Sequence, residues 1–424
     1  MSKSKSKQKQ KQKSTPALTL KGRLEVTRSG MGYVIVDAEK EDVLVRPGDF
    51  DTALNGDTVR VKVTRENMRT GKKEGRIIEV ITRKQTEFIG HLQLSTNHAF
   101  FVPDTDKPMP DLFIPLIAIM GAKHKDRVVA RLVKWEKTDK KPVGEIIKVL
   151  LPEDDNDAAM QELLAQAGFP LSFSTDVKDA AEKLPVILDS AEIAKRRDCR
   201  DILTFTIDPA DAKDFDDAIS IRTLSKGMYE IGVHIADVSY YVTPDSDLDA
   251  EAYKRATSVY LPDRVNPMLP EKISNELCSL RPNEDKFTFS AIFQMTDKGE
   301  IKQYWLGKTV IHSDVRFAYE DVQQIIETSE GNYKEEILLL NTIAQGFRKK
   351  RFAKGAINFS SQEVRFKLDE KAVPIGIMIK ESKEAHQLIE ELMLLANKTV
   401  AENVAKQHIN KKPIPFPYRV HDQP

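Results

Sequence analysis

The chain has 424 residues, of which 40% are apolar and 31% are charged. This composition is typical of soluble globular proteins, and at roughly 150 residues per domain the length predicts about three domains. The two cysteines, Cys199 and Cys278, exclude a disulfide framework and a CxxC zinc site. The longest apolar run, Phe113–Ala122, contains Pro115 and is too short to span a membrane. The N-terminus has lysines in place of the apolar stretch of a signal peptide, so we expect a cytoplasmic protein.

Charge is unevenly distributed along the chain, although the formal net charge is zero. Residues 1–16 contain six lysines and no acidic residue, so the remainder carries a net charge of −6. Lysines that alternate with Ser and Gln predict a disordered tail over residues 1–18. Such a tail could strengthen binding to polyanions by counterion release, or it could serve solubility alone. The neutral total argues against a protein that coats nucleic acid by bulk charge, but it is compatible with local binding.

An internal repeat occupies the first third of the chain. Residues 55–80 align with residues 124–149 at an offset of 69 without a gap. Each copy contains short runs of alternating polarity, such as Thr58–Val63 and Arg127–Val133, separated by Gly, Asp and Asn turns. This pattern predicts strands joined by hairpins, and two copies predict two small closed β-barrels.

The OB-type barrel is a common small barrel that binds single-stranded nucleic acid. We therefore predict a first OB-type, cold-shock-like domain over residues 19–84 and a second over residues 85–150. Aromatic residues of these barrels could stack on bases, although most of them are expected to fill the barrel cores: Tyr33, Phe100, Phe101 and Phe113.

The remainder of the chain is predicted to contain a connector over residues 151–197 and one mixed α/β domain over residues 198–424. Prolines interrupt the helical spacing of the connector. Predicted helices are Ala158–Ala167, Asp176–Lys183, Tyr319–Thr328, Tyr333–Lys354 and His386–Gln407. Predicted strands are Ile202–Ile207, Ala218–Ile221, Tyr229–Ile235, Thr288–Met295 and Glu300–Val310.

A dense acidic segment, TIDPADAKDFDDAIS at Thr206–Ser220, is the most informative part of the sequence. It contains five carboxylates within ten residues: Asp208, Asp211, Asp214, Asp216 and Asp217. Two like charges ~4 Å apart repel by about 4 kcal/mol at an effective dielectric constant of about 20. Because predicted strands flank the segment, we expect a divalent cation to neutralise it. Oxygen ligands without His or Cys favour Mg²⁺ or Mn²⁺, and such clusters are typical of two-metal phosphodiester cleavage.

Alternatives to this chemistry are an acidic surface turn and a calcium loop. An EF-hand that began at Asp208 would have Ala210 and Lys213 where a ligand and a glycine are required, so the calcium loop is excluded. The sequence also lacks GxxxxGK[ST], HExxH and GxSxG, which argues against P-loop nucleotide hydrolysis, zinc proteolysis and serine hydrolysis.

The acidic segment resembles the signature of the ribonuclease II / ribonuclease R family, whose catalytic unit is the RNB domain. Further blocks carry the resemblance in the same order: Val233–Val242, Ser258–Glu284, Arg348–Phe359 and Ile389–Asn397. The resemblance spans about residues 20–424, because tandem OB-type cold-shock domains precede the catalytic domain in this family. The lysine-rich tail and the residues of these motifs are more similar to ribonuclease R than to ribonuclease II.

The resemblance implies processive, Mg²⁺-dependent hydrolysis of single-stranded RNA from its 3′ end, with release of nucleoside 5′-monophosphates. It places the family's four catalytic and metal-binding aspartates at Asp208, Asp214, Asp216 and Asp217. Asp208 and Asp217 would be direct ligands, Asp214 would help to hold the metals, and Asp216 would tolerate change least. Asp211 is interpreted as a surface acid.

The resemblance also implies RNA-binding roles for Tyr260, Phe359 and Glu390. Tyr260 and Phe359 would enclose the stacked bases near the 3′ end, and Glu390 would lie near the terminal nucleotide. Aromatic stacking reads no sequence, which suits an unselective degrader. From the residues alone, Tyr260 could equally belong to the core, Phe359 would more often belong to it, and Glu390 would more often be solvated. The basic run Arg348–Lys354 could hold phosphates or form a solvated helix end.

The chain ends at a segment that resembles the middle of the family's catalytic domain, so we expect a truncated, incomplete α+β RNB domain. An arginine-containing helical half and an S1 domain would be missing. Two hypotheses remain: an exoribonuclease, or a catalytically silent RNA-binding fragment that acts through its tandem barrels. The expected partner is single-stranded RNA, without a membrane or a nucleotide cofactor, and the expected state is a monomer.

Overall fold

The computed structural model describes residues 18–37, 41–67, 70–150, 155–357, 363–370, 372–409 and 411–418. The chain divides into two compact units, Met1–Ser172 and Phe173–Pro424. Within the described part, no helix is both long and apolar enough to cross a membrane. Residues 1–17 of the lysine-rich tail and the predicted RNA contact Phe359 lie outside the described residues.

The first unit contains two closed five-stranded barrels. The first barrel consists of β1 (Thr19–Val26), β2 (Gly32–Ile35), β3 (Val43–Val45), β4 (Thr58–Glu66) and β5 (Lys73–Thr82). The second consists of β6 (Glu87–Leu94), β7 (Ala99–Pro103), β8 (Leu112–Ile114), β9 (Arg127–Lys134) and β10 (Val143–Leu150). A short 3-10 helix follows the third strand of each barrel, at Pro47–Asp49 and at Leu116–Ala118.

The two barrels share one pattern of strand pairing. In each, the third strand pairs in parallel with the fifth, and the fourth closes the barrel against the first. Alternation along β4 explains the core: Val59 and Val61 are fully buried, whereas Arg60 between them is exposed. The two OB-like barrels predicted from the repeat are therefore confirmed.

The aromatic residues of the barrels do not follow the expectation that most of them fill the cores. Phe101 is fully buried, but Tyr33 is 40% exposed. Phe100 and Phe113 are half-buried and meet edge to face, with ring centroids 5.9 Å apart. The reason is strand alternation, because these three residues occupy outward positions on β2, β7 and β8.

Helices α1 (Asp155–Gln166), α2 (Thr175–Glu182) and α3 (Ser190–Ile193) follow the barrels. The boundary between the two units falls after Ser172, so α1 belongs to the first unit and α2 to the second. Ser174 caps α2 by accepting a hydrogen bond from the Val177 backbone N–H.

The second unit is organised around a seven-stranded sheet in the order β11-β18-β17-β14-β13-β12-β19. Its strands are β11 (Arg197–Asp198), β12 (Thr204–Asp208), β13 (Asp217–Ser225), β14 (Met228–Ala236), β17 (Glu284–Thr296), β18 (Ile301–Ser313) and β19 (Val315–Ala318). The two terminal neighbours, β11 beside β18 and β19 beside β12, are parallel. The inner pairs are antiparallel.

Helices and small hairpins complete the second unit. The helices are α4 (Val238–Tyr241), α5 (Asp247–Arg255), a π-helix (Lys272–Leu277), α6 (Tyr319–Thr328), α7 (Lys334–Ala353) and α8 (Glu384–Ala405). The hairpin strands are β15 (Val259–Tyr260) with β16 (Val265–Asn266), β20 (Glu363–Leu368) with β21 (Pro374–Lys380), and β22 (His408–Ile409) with β23 (Lys412–Pro413).

Helices cover both faces of the sheet. Ile219 faces a core shared with α6, α7 and α8, whereas the adjacent Ala218 faces a core shared with α2, α5 and the π-helix. Because both faces are apolar, functional polar groups collect where strands end. The predicted α6 has the observed bounds, and the predicted strands lie within or overlap observed ones. Strand β19 and the hairpin β20–β21 were not predicted.

Candidate active site

The acidic segment forms the loop between the antiparallel strands β12 and β13. Asp208 ends β12 and Asp217 begins β13, so the hairpin geometry brings these two carboxylates to the same end of the sheet. Asp208 is 9% exposed, and its Oδ2 has no hydrogen-bond partner among the described residues. We call Asp208–Asp217 the aspartate loop.

A buried serine fixes the middle of the aspartate loop. The Ser279 hydroxyl donates to the Lys213 carbonyl at 3.0 Å and accepts from the Phe215 backbone N–H at 3.0 Å. The Leu280 N–H donates to the Phe215 carbonyl at 2.8 Å. The Phe215 side chain is buried, whereas Asp214 on one side of it is half-buried and Asp216 on the other is exposed.

An arginine from β19 fixes the start of the loop. Arg316 Nη2 donates to the carbonyls of Pro209 and Ala210, at 2.7 and 2.8 Å. Its guanidinium carbon also lies 5.4 Å from the centre of the Phe215 ring. Arg316 therefore joins the two halves of the loop and places a positive charge near Asp208.

The electrostatics of the loop reflect burial and crowding of like charges. Burial, with the charges of Asp217 and Asp216, raises the pKa of Asp208 to about 7. Burial, with the charge of Asp216, raises the pKa of Asp217 to about 6. The pKa of Asp216 is raised by burial and by Asp214. The loop therefore holds carboxylates that favour a bound proton or cation near neutral pH.

Tyr260, on the hairpin β15–β16, lies beside this loop. Its hydroxyl donates to Asp214 Oδ2 at 2.7 Å, and the residue is 64% exposed. Burial of the hydroxyl, together with this hydrogen bond, raises the pKa of Tyr260 to about 12. An exposed ring held by its hydroxyl group offers a surface on which a base could stack.

Tyr319 approaches the loop from the start of α6. Strand β19 pairs with β12 so that Ala318 lies opposite Asp208. Burial, with the charges of Asp217 and Asp208, raises the pKa of Tyr319 to about 12. The His386 ring stacks on Tyr319 with centroids 4.1 Å apart, which places the first turn of α8 beside this end of the sheet.

Glu390 lies one turn after His386 on the same side of α8. Arg351 Nη2 donates to Glu390 Oε1 at 2.9 Å, and Arg348 Nη1 donates to Glu390 Oε2 at 3.4 Å. The glutamate side chain is 45% exposed and pairs with both arginines, so it is not freely solvated. Two cations of the basic run Arg348–Lys354 therefore bind α8, and their release would be required before they could bind a phosphate.

A metal site was expected at the aspartates, and the donor chemistry fits one. The set consists of carboxylate oxygens, one of which is buried without a partner, and cation binding would relieve the repulsion between them. No three acidic, His or Cys side chains of the described ranges are grouped closely enough to hold an ion. Asp214 is engaged by Tyr260 instead.

Other residues have structural roles. His234 is fully buried, and its ring nitrogens lie 2.6 Å from the Ser290 hydroxyl and 2.7 Å from the Ser220 hydroxyl. It is a hydrogen-bonded core histidine. Asp211 is exposed, in agreement with its interpretation as a surface acid. No local sequence pattern pointed to Ser279, Arg316 or Tyr319, since each reaches the loop from a distant part of the chain.

Comparison with known families matches three segments of the chain. The RNB domain matches residues 196–424, the cold shock domain matches residues 100–174, and the ribonuclease B OB domain matches residues 22–80. The first of these contains the aspartate loop, and the other two fall on the barrels.

Several curated relatives are ribonucleases R. The chain is 34% identical to ribonuclease R 1 of Lactococcus lactis over 96% of its own length and 51% of that protein. It is 35% identical to ribonuclease R of Thermotoga maritima over 95% of its length and 57% of that protein. It is 33% identical to Escherichia coli ribonuclease R over 96% of its length and 50% of that protein. The chain thus spans about half the length of these relatives.

Solved structures show the same fold. Mycoplasma genitalium RNase R in complex with ribose-methylated single-stranded RNA aligns with a TM-score of 0.70 and 26% identity, over 91% of this chain and 62% of that one. Yeast Ssd1, a pseudonuclease, aligns with a TM-score of 0.59 and 20% identity, over 92% of this chain and 55% of that one, and shares the fold.

Proposed function

The chain belongs to the RNB family of ribonucleases, and we propose that it catalyses processive hydrolysis of single-stranded RNA from the 3′ end, releasing nucleoside 5′-monophosphates. The aspartate loop carries this proposal. It presents Asp208, Asp214, Asp216 and Asp217 at one end of the sheet, and buried groups of other elements hold its backbone. A loop with no chemical role would gain nothing from crowding carboxylates whose burial and mutual repulsion raise their pKa values.

We assign the metal-binding role to the four aspartates, with Asp208 and Asp217 as the direct ligands. Mg²⁺, or Mn²⁺ in its place, would supply activation of a water and stabilisation of the leaving oxygen. The chain itself contributes position: Ser279 fixes the backbone on both sides of Asp214, and Arg316 fixes the backbone after Asp208.

RNA binding at the site is assigned to Tyr260, Phe359 and Glu390. The exposed ring of Tyr260 would stack on a base near the scissile end while its hydroxyl group holds Asp214. Glu390 would bind the terminal nucleotide after exchanging part of its ion pairing with Arg351. Each contact concerns base faces, sugar or charge, so the site would degrade RNA without regard to sequence.

A silent RNA-binding fragment is the second candidate function. Its architecture also occurs in yeast Ssd1, a pseudonuclease. The aspartates and the side chains that hold their loop, Ser279 and Arg316, favour the enzyme, because RNA binding by the barrels requires neither.

The test is a time course with single-stranded RNA labelled at its 5′ end, run with Mg²⁺, with Mn²⁺ and with EDTA. We expect labelled products that shorten steadily to a small limit product with either metal, and intact RNA in EDTA. RNA that stays intact in every condition while it remains bound would support the second candidate. Early appearance of a labelled mononucleotide would contradict 3′-end attack.

A further inference from the structure

One outer wall of the first barrel carries a cluster of cations. The register places Lys21 on β1 opposite Arg60 on β4, and Lys62 on β4 opposite Arg76 on β5. Directly opposite residues of an antiparallel pair point to the same face, and Arg60 and Lys62 are two residues apart on one strand. We call Lys21, Arg60, Lys62 and Arg76 the basic wall.

Most of the charge of the basic wall is uncompensated. Arg60 pairs with Glu79, at 2.7 Å between Nε and Oε2. Lys21, Lys62 and Arg76 make no ion pair or side-chain hydrogen bond with the residues that the structure describes. Lys21 and Arg76 are exposed, and Lys62 is half-buried. Three cations therefore point outward from neighbouring strands, where like charges repel one another.

The second barrel shows that the fold does not require such a wall. Ile89 pairs with Val129 there as Lys21 pairs with Arg60 in the first barrel. Ile89 is 6% exposed and Val129 is 1% exposed, because they pack against a cluster that includes Ala165 of α1. The same wall is therefore apolar and covered in one barrel, and cationic and open in the other.

The cations on the corresponding wall of the second barrel are paired with acidic residues. Arg131, at the position of Lys62, pairs with Glu87 at 2.8 Å and with Glu145 at 3.4 Å. Arg127 pairs with Glu162 of α1 at 2.7 Å. These cations of the second barrel thus form ion pairs within the chain, whereas Lys21, Lys62 and Arg76 of the basic wall have no such partner among the described residues.

We propose that the basic wall binds the phosphodiester backbone of RNA, as a docking surface outside the aspartate loop. A regular row of cations on rigid strands complements a polyanion with regularly spaced charges, and such binding carries no sequence information. The inference deepens the proposed function and rests on RNA as the substrate. The wall would raise the affinity for long RNA and leave the chemistry at the aspartates unchanged.

The test measures RNA binding and not hydrolysis, so that the two proposals can fail separately. The full chain with Asp216→Asn is titrated in EDTA against a fluorescent single-stranded RNA at several NaCl concentrations. The test variant adds three substitutions: Lys21→Gln, Lys62→Gln and Arg76→Gln. The matched control adds three at exposed lysines of the second barrel: Lys123→Gln, Lys134→Gln and Lys140→Gln.

Removal of the three wall cations should reduce the slope of log affinity against log salt by about 2, at about 0.7 per neutralised phosphate. Affinity at low salt should fall by about tenfold or more, because fewer counterions are released from the RNA on binding. The control variant should keep the slope, as should a charge-conserving variant with Lys21→Arg, Lys62→Arg and Arg76→Lys.

Equal slopes for the test variant and its parent would overturn the proposal, as would an equal fall in affinity for the control variant. Titration with polyglutamate separates RNA from polyanions in general: weakening of both by the same factor would overturn the assignment of RNA. If the three substitutions weaken RNA binding but the chain with its native Asp216 never hydrolyses RNA in Mg²⁺ or Mn²⁺, the proposed function is contradicted and this inference stands.

Discussion

The basic wall of the first barrel and the aspartate loop of the second unit both place like charges side by side, but they do so in different surroundings. The wall carries its cations on regular strands, where Lys21 and Arg76 are open to water and salt. The loop carries its anions in a half-buried segment that Ser279 and Arg316 hold from distant parts of the chain.

This difference separates two uses of charge. Exposed cations repel weakly and bind a partner in a salt-dependent manner, which suits reversible docking. Burial and mutual repulsion raise the pKa values of the carboxylates in the loop. Their positions must therefore be held by other parts of the chain, which suits fixed chemistry. The second barrel provides the reference state, because its corresponding wall uses Ile89 and Val129 for packing.

The largest effect on folding is expected when a wall cation is moved to the second barrel. Ile89→Lys would bury an ammonium group against Val129 and α1, at a cost of at least about 2 kcal/mol in the free energy of unfolding. Urea denaturation of the variant measures the loss. The reverse exchange, Lys21→Ile, should change the free energy of unfolding far less, and equal losses would show that the two walls have equivalent surroundings.

The second-largest effect is expected when a side chain that holds the aspartate loop is removed. Ser279→Ala leaves the Phe215 N–H and the Lys213 carbonyl without their partner, which costs about 1–3 kcal/mol. Displacement of Asp214 should slow RNA hydrolysis by about 10- to 100-fold, while RNA binding is retained. Single-turnover hydrolysis and fluorescence anisotropy measure the two quantities. Ser274→Ala, which removes a half-buried hydroxyl that donates to Asn275, is the control.

Raised carboxylate pKa values make the metal-free loop sensitive to pH. A raised pKa in the folded state stabilises the fold at low pH, and that contribution is lost as pH rises through the folded values, about 7 for Asp208 and about 6 for Asp217. The melting temperature in EDTA should therefore fall from about pH 5 to about pH 8 by roughly a few degrees. Mg²⁺ should restore it at the higher pH. Asp208→Asn should flatten the profile, and an equally steep profile in that variant would assign the effect elsewhere.

The smallest effect is expected at the wall itself. Lys21→Gln removes the repulsion between Lys21 and Arg60 and should raise the free energy of unfolding by less than about 1 kcal/mol at low salt. The gain should vanish at high salt, where exposed charges are screened. A gain that persists at high salt would show that the repulsion is not the cause. The Ser279→Ala loss should persist in the same salt series.

The sequence predicted what depends on local pattern. Alternation along Thr58–Val63 and its repeat predicted the barrels, and the density of carboxylates located the aspartate loop. The sequence did not reveal the roles of Ser279 and Arg316, because their hydrogen bonds join residues far apart in the chain. The contrast between the two walls was also missed, since only the strand register shows that Lys21 faces Arg60.

The central claim is that the aspartate loop performs RNA hydrolysis, and it is tested most directly by comparing Asp216→Asn with Asp211→Asn. Both remove one charge from an exposed residue of the same loop, but Asp211 lies outside the four assigned aspartates. We predict that Asp216→Asn slows hydrolysis by about 100- to 1,000-fold with unchanged RNA affinity, and that Asp211→Asn leaves both unchanged. Equal hydrolysis rates in the two variants, or a parallel loss of binding and hydrolysis in Asp216→Asn, would contradict the account.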